Sequence, residues 1–154
     1  MIDIIIPVVS TEIDLEKTLM SIYLQEIEEK YNVIILDKKT NEEIIKRYSS
    51  FYPIKYIETD IFSIDFKNLL LNETTSPYIV IINNEHLFYN VQSLATLYKK
   101  SIKENQNIQG IIENNNNYEI STLNSVIYKR ELLYNESFIE SDEIITIKNE
   151  KNNK

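Results

Sequence analysis

The stretch IDIIIPVV, residues 2–9, constrains the fold more than any other part of the chain. It is almost continuously apolar and β-branched, which is the pattern of a strand buried on both faces inside a parallel sheet. From residue 11 the period becomes helical, with one apolar face formed by Leu15, Leu19, Ile22 and Tyr23. A buried strand followed at once by an amphipathic helix predicts the first half of a βαβ unit.

The same alternation continues through the first hundred residues. Further strands are predicted at Tyr31–Asp37, 55–59 and Tyr78–Asn83, and helices at Thr40–Tyr48, Ile61–Leu71 and Val91–Lys103. Thr40 and Glu43 have the spacing of a capping box at the second helix. Short strands are predicted beyond residue 104, at Ile108–Ile112, Tyr118–Thr122, Ser125–Tyr128 and Ile144–Ile147. The sequence therefore predicts an α/β fold, a three-layer domain with a mainly parallel sheet.

Composition narrows the classes of function. The 154 residues fit one domain, which we place at 1–148, and the polar residues 149–154 are expected to be a disordered tail. A net charge of -8 argues against nucleic-acid binding, which needs clustered Lys and Arg. No apolar run reaches the roughly 20 residues of a membrane span, and no signal peptide is evident, so we expect a soluble, cytoplasmic protein. With no Cys and one His, thiolate chemistry and His-cluster metal sites are excluded.

Polar residues follow the predicted strands, where open α/β sheets bind ligands. The carboxyl ends of the four main strands carry residues 7–10, 37–40, 59–60 and 83–86. No glycine-rich turn follows the first strand, so neither a dinucleotide fingerprint nor a P-loop is present. Any site at this edge must use carboxylates, amides, hydroxyls and lysines.

Four motifs in order resemble the GT-A-fold nucleotide-diphospho-sugar transferases, especially the family 2 glycosyltransferases. IIIPVVS followed by LEKTLMSIYLQ is similar to the family's opening, which matches at Pro7, Leu15, Thr18, Leu19, Ser21, Ile22 and Gln25. VIILDKKT resembles the second-strand motif I-V-V-D-D-G-S, and SPYIVIINNEHLF resembles the D-x-D segment. A fainter similarity links NSVIYKRELL and FIESDEI to the family's R-R and E-D segments.

This resemblance implies a nucleotide-sugar, commonly a UDP-sugar, bound across the strand ends, and transfer of its sugar to an acceptor. It implies that Asp37 contacts the base and that a divalent metal, Mn or Mg, rests on Glu85, with His86 as a helper. The residues assigned to the nucleotide-sugar are Pro7, Val8, Ser10, Asp37, Lys38, Asn83 and Asn84. Asp142 or Glu143 takes the position of the catalytic base.

The departures from the family pattern fall on these chemical positions. Asn83, Asn84 and Glu85 stand where the D-x-D motif is expected, and Lys38 and Lys39 replace an acid and a glycine. The region for the acceptor is reduced to the loops between residues 104 and 124, so the acceptor side is expected from a protein partner or a homo-oligomer. Three interpretations stay open: a glycosyltransferase, a catalytically inactive GT-A-like binding or assembly module, and an unrelated α/β nucleotide binder.

Overall fold

The computed structural model describes residues 1–8, 15–60, 66–82, 88, 90–103, 111–114, 117–120 and 125–130. Strands and helices alternate as β1 (Ile2–Pro7), α1 (Leu15–Tyr23), β2 (Tyr31–Asp37), α2 (Glu42–Ser49), β3 (Ile54–Glu58), α3 (Phe66–Glu73), β4 (Tyr78–Ile82) and α4 (Ser93–Lys103). They are followed by β5 (Ile111–Asn114), β6 (Asn117–Ile120) and β7 (Ser125–Lys129). The α/β prediction is confirmed.

One sheet organises the described part of the chain. Its strand order is β3-β2-β1-β4-β7, and β5 and β6 form a separate antiparallel hairpin. The first four strands of this order run parallel, whereas β7 pairs antiparallel with β4. The prediction of a mainly parallel sheet is therefore confirmed, with β1 in its centre as the apolar run indicated.

Helices cover the sheet on both faces. On one face Ile2, Ile4 and Ile6 of β1 join a single buried cluster with side chains of the helices α1, α2 and α4. Because side chains alternate along a strand, Asp3 faces the other side, where it bonds the backbone just after α3. The helix α3 therefore lies on the second face, as right-handed crossovers require. The result is the predicted three-layer arrangement.

Asp3 is a buried charge that ties this second face together. Asp3 is only 2% exposed, and its carboxylate accepts hydrogen bonds from Thr75 N–H at 3.0 Å and Ser76 N–H at 2.9 Å. Asn32 Nδ2 donates a third bond at 3.0 Å. Burial alone would raise the pKa of Asp3, but these bonds outweigh it and the pKa lies below its ordinary value. Asp3 thus fixes the turn that leads into β4.

Several predicted boundaries differ from the structure. The capping box is wrong, because α2 begins at Glu42 after Asn41 and the Thr40 hydroxyl bonds Asp37 instead. The helix α4 begins at Ser93, two residues later than predicted. The predicted strand Ile144–Ile147 and the boundary at residue 148 lie outside the described residues. None of the helices in the described ranges has the length and apolarity needed to cross a membrane.

Candidate functional site

The carboxyl ends of β1, β2 and β3 lie side by side at one edge of the sheet. The register pairs Pro7 with Leu36 and Asp37 with Glu58. Val8 N–H extends the ladder by donating to the Leu36 carbonyl at 2.9 Å. The structure therefore brings together four residues that the sequence assigned to the nucleotide-sugar, namely Pro7, Val8, Asp37 and Lys38.

Asp37 is tightly constrained at this edge. It is 1% exposed, and its Oδ2 accepts bonds from Thr40 N–H at 2.9 Å, Asn41 N–H at 3.1 Å and the Tyr56 hydroxyl at 2.9 Å. Its Oδ1 accepts the Thr40 hydroxyl at 2.6 Å. Three protein donors therefore share Oδ2, whereas Oδ1, which has two acceptor positions, accepts one. Asp37 therefore holds the turn between β2 and α2, residues 38–41, against β3.

These hydrogen bonds also shift the pKa values of Asp37 and Tyr56. Burial acts to raise the pKa of Asp37, but the bonds from Thr40, Tyr56 and Asn41 favour the charged form and lower the pKa below its ordinary value. The pKa of Tyr56 is raised, first by burial and then by its bond to the Asp37 charge. Asp37 is therefore an anion and Tyr56 a neutral hydroxyl at neutral pH.

Lys39 adopts an unusual backbone conformation within this turn. Its φ is 68°, in the left-handed region that favours glycine, and glycine is the residue that the family pattern has at this position. Lys39 N–H donates to the Tyr56 hydroxyl at 3.0 Å, so one hydroxyl links the turn to the Asp37 carboxylate. The backbone of this turn thus has a conformation typical of glycine at a position occupied by lysine.

Two lysine side chains stand at the rim of the edge, and each has an acidic neighbour. Lys38 Nζ lies 3.0 Å from Asp60 Oδ2, and Lys39 Nζ lies 3.5 Å from Glu58 Oε2. All four side chains are substantially exposed, so each ion pair contributes no more than about 1 kcal/mol. An incoming anion can therefore exchange for Asp60 and Glu58 at small cost.

The remaining predicted site residues lie outside the described part of the chain: Ser10, Asn83, Asn84, Glu85, His86, Asp142 and Glu143. Within the ranges that are described, no three of the His, Asp and Glu side chains form a group able to hold a metal ion. Asp37 is committed to protein donors, and Glu58 and Asp60 are paired with lysines. The described residues therefore do not fit a metal centre by themselves.

The polar residues of the opening motif connect α1 to the chain beyond β4. Ser21 accepts a bond from Phe88 N–H at 3.2 Å while its hydroxyl donates to the Thr18 carbonyl at 2.7 Å. Gln25 Nε2 donates to the Asn90 carbonyl at 2.8 Å, and Gln25 Oε1 accepts Leu94 N–H at 2.9 Å. These motif residues thus serve packing and positioning of the chain after residue 87.

Sequence reasoning missed Tyr56 and misassigned Thr40. Tyr56 is one of eleven tyrosines and had no feature of its own in the sequence. The register Ile35 with Tyr56 and Asp37 with Glu58 places Tyr56 diagonally beside Asp37. One signal was available. Tyr56 lies two residues before the end of β3, and β3 was a possible neighbour of β2, which ends in Asp37.

Comparison with solved structures shows the class of fold. A mannosyltransferase of Pyrobaculum calidifontis, PcManGT in complex with GDP-Man and Mn²⁺, superposes with a TM-score of 0.70 at 19% identity, over 86% of this chain and 45% of that one. S. aureus TarS 1–349 in complex with UDP-GlcNAc gives 0.65 at 13% identity, over 88% and 47%. The 4-diphosphocytidyl-2C-methyl-D-erythritol synthase of Anaerococcus prevotii gives 0.59 at 19%, over 91% and 77%.

The chain therefore has a GT-A-like α/β fold, that of the nucleotide-diphospho-sugar transferases. It spans about half the length of the mannosyltransferase and TarS chains that it matches. Comparison with profiles of known families found no match, and comparison with curated protein sequences found none either.

Proposed function

We propose that the chain binds a nucleotide-sugar, a UDP-sugar in the first instance, at the carboxyl edge of β1, β2 and β3, and transfers the sugar to an acceptor. The observation that carries the proposal is the turn at residues 38–41, which Asp37 fixes at that edge and which presents two lysines. It occurs in a fold whose matched structures include complexes with GDP-Man and UDP-GlcNAc.

In this proposal each residue of the carboxyl edge has a separate role. Pro7 and Val8, at the end of β1, contact the donor, Ser10 is assigned to the donor as well, and Asp37 gives the site its shape. A donor group of the base can bond Oδ1 of Asp37, which accepts one protein bond, or displace the Tyr56 hydroxyl from Oδ2. Lys38 and Lys39 exchange their exposed carboxylate partners for the diphosphate, which carries more negative charge.

The chemical step draws on residues that the resemblance supplies. Asp142 or Glu143 accepts the proton of the acceptor hydroxyl, whose oxygen bonds to the sugar as the bond to the diphosphate breaks. Asn83 and Asn84 contact the donor through amide groups. A divalent metal would rest on Glu85, where it would neutralise charge on the leaving diphosphate.

A second candidate function is a catalytically inactive binding or assembly module. It is favoured by the engagement of the Asp37 carboxylate with four protein donors and by the amides at residues 83 and 84. An amide offers a metal one neutral oxygen where a carboxylate offers charge. Under this alternative the GT-A-like scaffold persists and the edge binds no donor.

Calorimetric titration separates the two. We expect UDP to bind wild type, and Lys38→Ala/Lys39→Ala to weaken UDP binding at least about tenfold because two phosphate contacts are lost. Lys55→Ala is the matched control, since Lys55 is also exposed and paired with an acid but lies near the start of β3.

Repeating the titration with MnCl₂ and with Glu85→Gln tests the metal, and UDP-sugar hydrolysis tests catalysis. Absence of binding at millimolar UDP, GDP, CDP and TDP would refute the donor site and leave the module.

A further inference from the structure

Among the described residues, four large apolar side chains of α1 and of the segments just after α1 and α2 are exposed. Leu24 is 63% exposed, Phe51 79%, Met20 49% and Tyr52 38%. Met20 lies on the outward side of α1, Leu24 follows directly after this helix, and Phe51 and Tyr52 follow α2. We call these four residues the α1/α2 face.

Contacts between α1 and α2 hold the α1/α2 face in place. The rings of Tyr23 and Tyr52 stack with centroids 3.7 Å apart and planes at 9°, which joins the end of α1 to the end of α2. Leu24 N–H donates to the Met20 carbonyl at 3.0 Å, so these two side chains follow one another along the helix surface. At the other end, Arg47 forms an ion pair with Glu16 at 2.7 Å. A surface fixed in this way loses little entropy when it is covered.

The summed charge of α1 and α2 differs from that of the whole protein. The chain carries a net charge of -8, but α1 and α2 together contain three acidic and three basic residues, which cancel: Glu16, Glu42, Glu43, Lys17, Lys46 and Arg47. Repulsion between two copies of an acidic chain is weaker where the surfaces that meet carry little net charge. The helices α1 and α2 themselves carry no net charge, and the acidic residues Glu26, Glu28 and Glu29 follow Leu24 in the chain.

The exposed area is also of the right size for self-association. The four side chains expose on the order of 400 Å² of mostly apolar surface, since one aromatic side chain covers about 150–250 Å². A standard interface buries about 800 Å² per partner, of which somewhat more than half is non-polar. The α1/α2 face thus supplies nearly the apolar area that one side of such an interface needs.

We propose that the α1/α2 face is the interface of a homodimer in which a two-fold axis crosses α1 between Met20 and Leu24. Such an axis places Met20 of one copy against Leu24 of the other, and Leu24 against Met20, so each apolar side chain is covered by the same surface. Phe51 and Tyr52 close the contact on the side of α2. The dimer does not depend on the donor site and forms with or without a nucleotide.

Sedimentation equilibrium of the full chain tests the dimer. Wild type is expected to shift from 18.2 kDa to twice that mass with a dissociation constant on the order of 10 µM. Leu24→Ser and Phe51→Ser are each expected to weaken the dimer at least about tenfold. Ile102→Ser is the matched control, because Ile102 is 52% exposed on α4 and lies outside the face. Thermal unfolding confirms that each variant is folded.

Cross-linking then tests the geometry. The chain has no cysteine, so Met20→Cys and Leu24→Cys each introduce a single thiol. A mixture of the two variants should form a disulfide-linked heterodimer on mild oxidation, whereas Ile102→Cys should not form a dimer. A wild type that stays monomeric at about 1 mM overturns the proposal. It is equally overturned by a dimer that Leu24→Ser and Phe51→Ser leave unchanged, or that Ile102→Ser weakens to the same degree.

Discussion

Substitution of Asp37 probes the turn that shapes the proposed donor site. In Asp37→Ala four donors lose their acceptor, among them the backbone N–H groups of Thr40 and Asn41. Leaving buried donors unpaired costs about 1–3 kcal/mol each where water cannot enter, so we expect a loss of about 4 kcal/mol. In Asp37→Asn the amide oxygen can keep the three bonds to Oδ2, and the amide NH₂ can donate to the Thr40 hydroxyl oxygen. That variant loses only the charge, about 1.5 kcal/mol.

Urea unfolding followed by circular dichroism measures both losses. In thermal unfolding of the same variants, Tm should fall by about 10 °C for Asp37→Ala and about 4 °C for Asp37→Asn, as expected for a domain of this size. Because the pKa of folded Asp37 lies below the ordinary 3.8, its contribution is complete above that value and is lost as pH falls through the lower, folded-state pKa. The difference between wild type and Asp37→Asn should therefore shrink in acid. Equal losses for both variants, or a difference independent of pH, would refute the reasoning.

Three further predictions concern the contributions of Asp3, Lys39 and Gln25 to the free energy of unfolding. Asp3→Asn should destabilise by about 2 kcal/mol in urea unfolding, because three bonds lose their charged acceptor. Lys39→Gly should raise the free energy of unfolding by up to about 1 kcal/mol, since glycine adopts φ 68° without strain, whereas Lys38→Gly should lower it. An unchanged or lower value for Lys39→Gly contradicts this. Gln25→Ala should cost about 1–2 kcal/mol and speed amide exchange at Leu94, whose N–H bonds Gln25 Oε1; unaltered exchange there contradicts the assigned bond.

The fold could be predicted because the sequence pattern and the tertiary structure agree. The run at Ile2–Pro7 is apolar enough to require burial on both faces, and it forms the central strand. The apolar face of α1 at Leu15, Leu19 and Ile22 is fully buried. Periodicity alone therefore identified the parallel sheet and the helix that covers it.

The bonding at the strand ends could not be predicted in the same way. Thr40 and Glu43 have capping-box spacing, but the buried Asp37 carboxylate competes for the same hydroxyl and backbone donors and binds them. A charge buried at 1% exposure needs those bonds more than a helix end open to water does. Tyr56 reaches this carboxylate from another strand, a contact that depends on sheet register and not on local sequence.

The most direct test of the proposed donor site is a ¹H–¹⁵N NMR titration of the labelled chain with UDP and with a UDP-sugar, with and without Mg²⁺. The account predicts shifts at the carboxyl edge, at the amides of Val8, Lys38 and Lys39, and none at Tyr31 and Tyr78, which begin their strands at the opposite edge. Shifts confined to the amino edge, or no shift at millimolar nucleotide, would contradict a donor site at the ends of β1, β2 and β3.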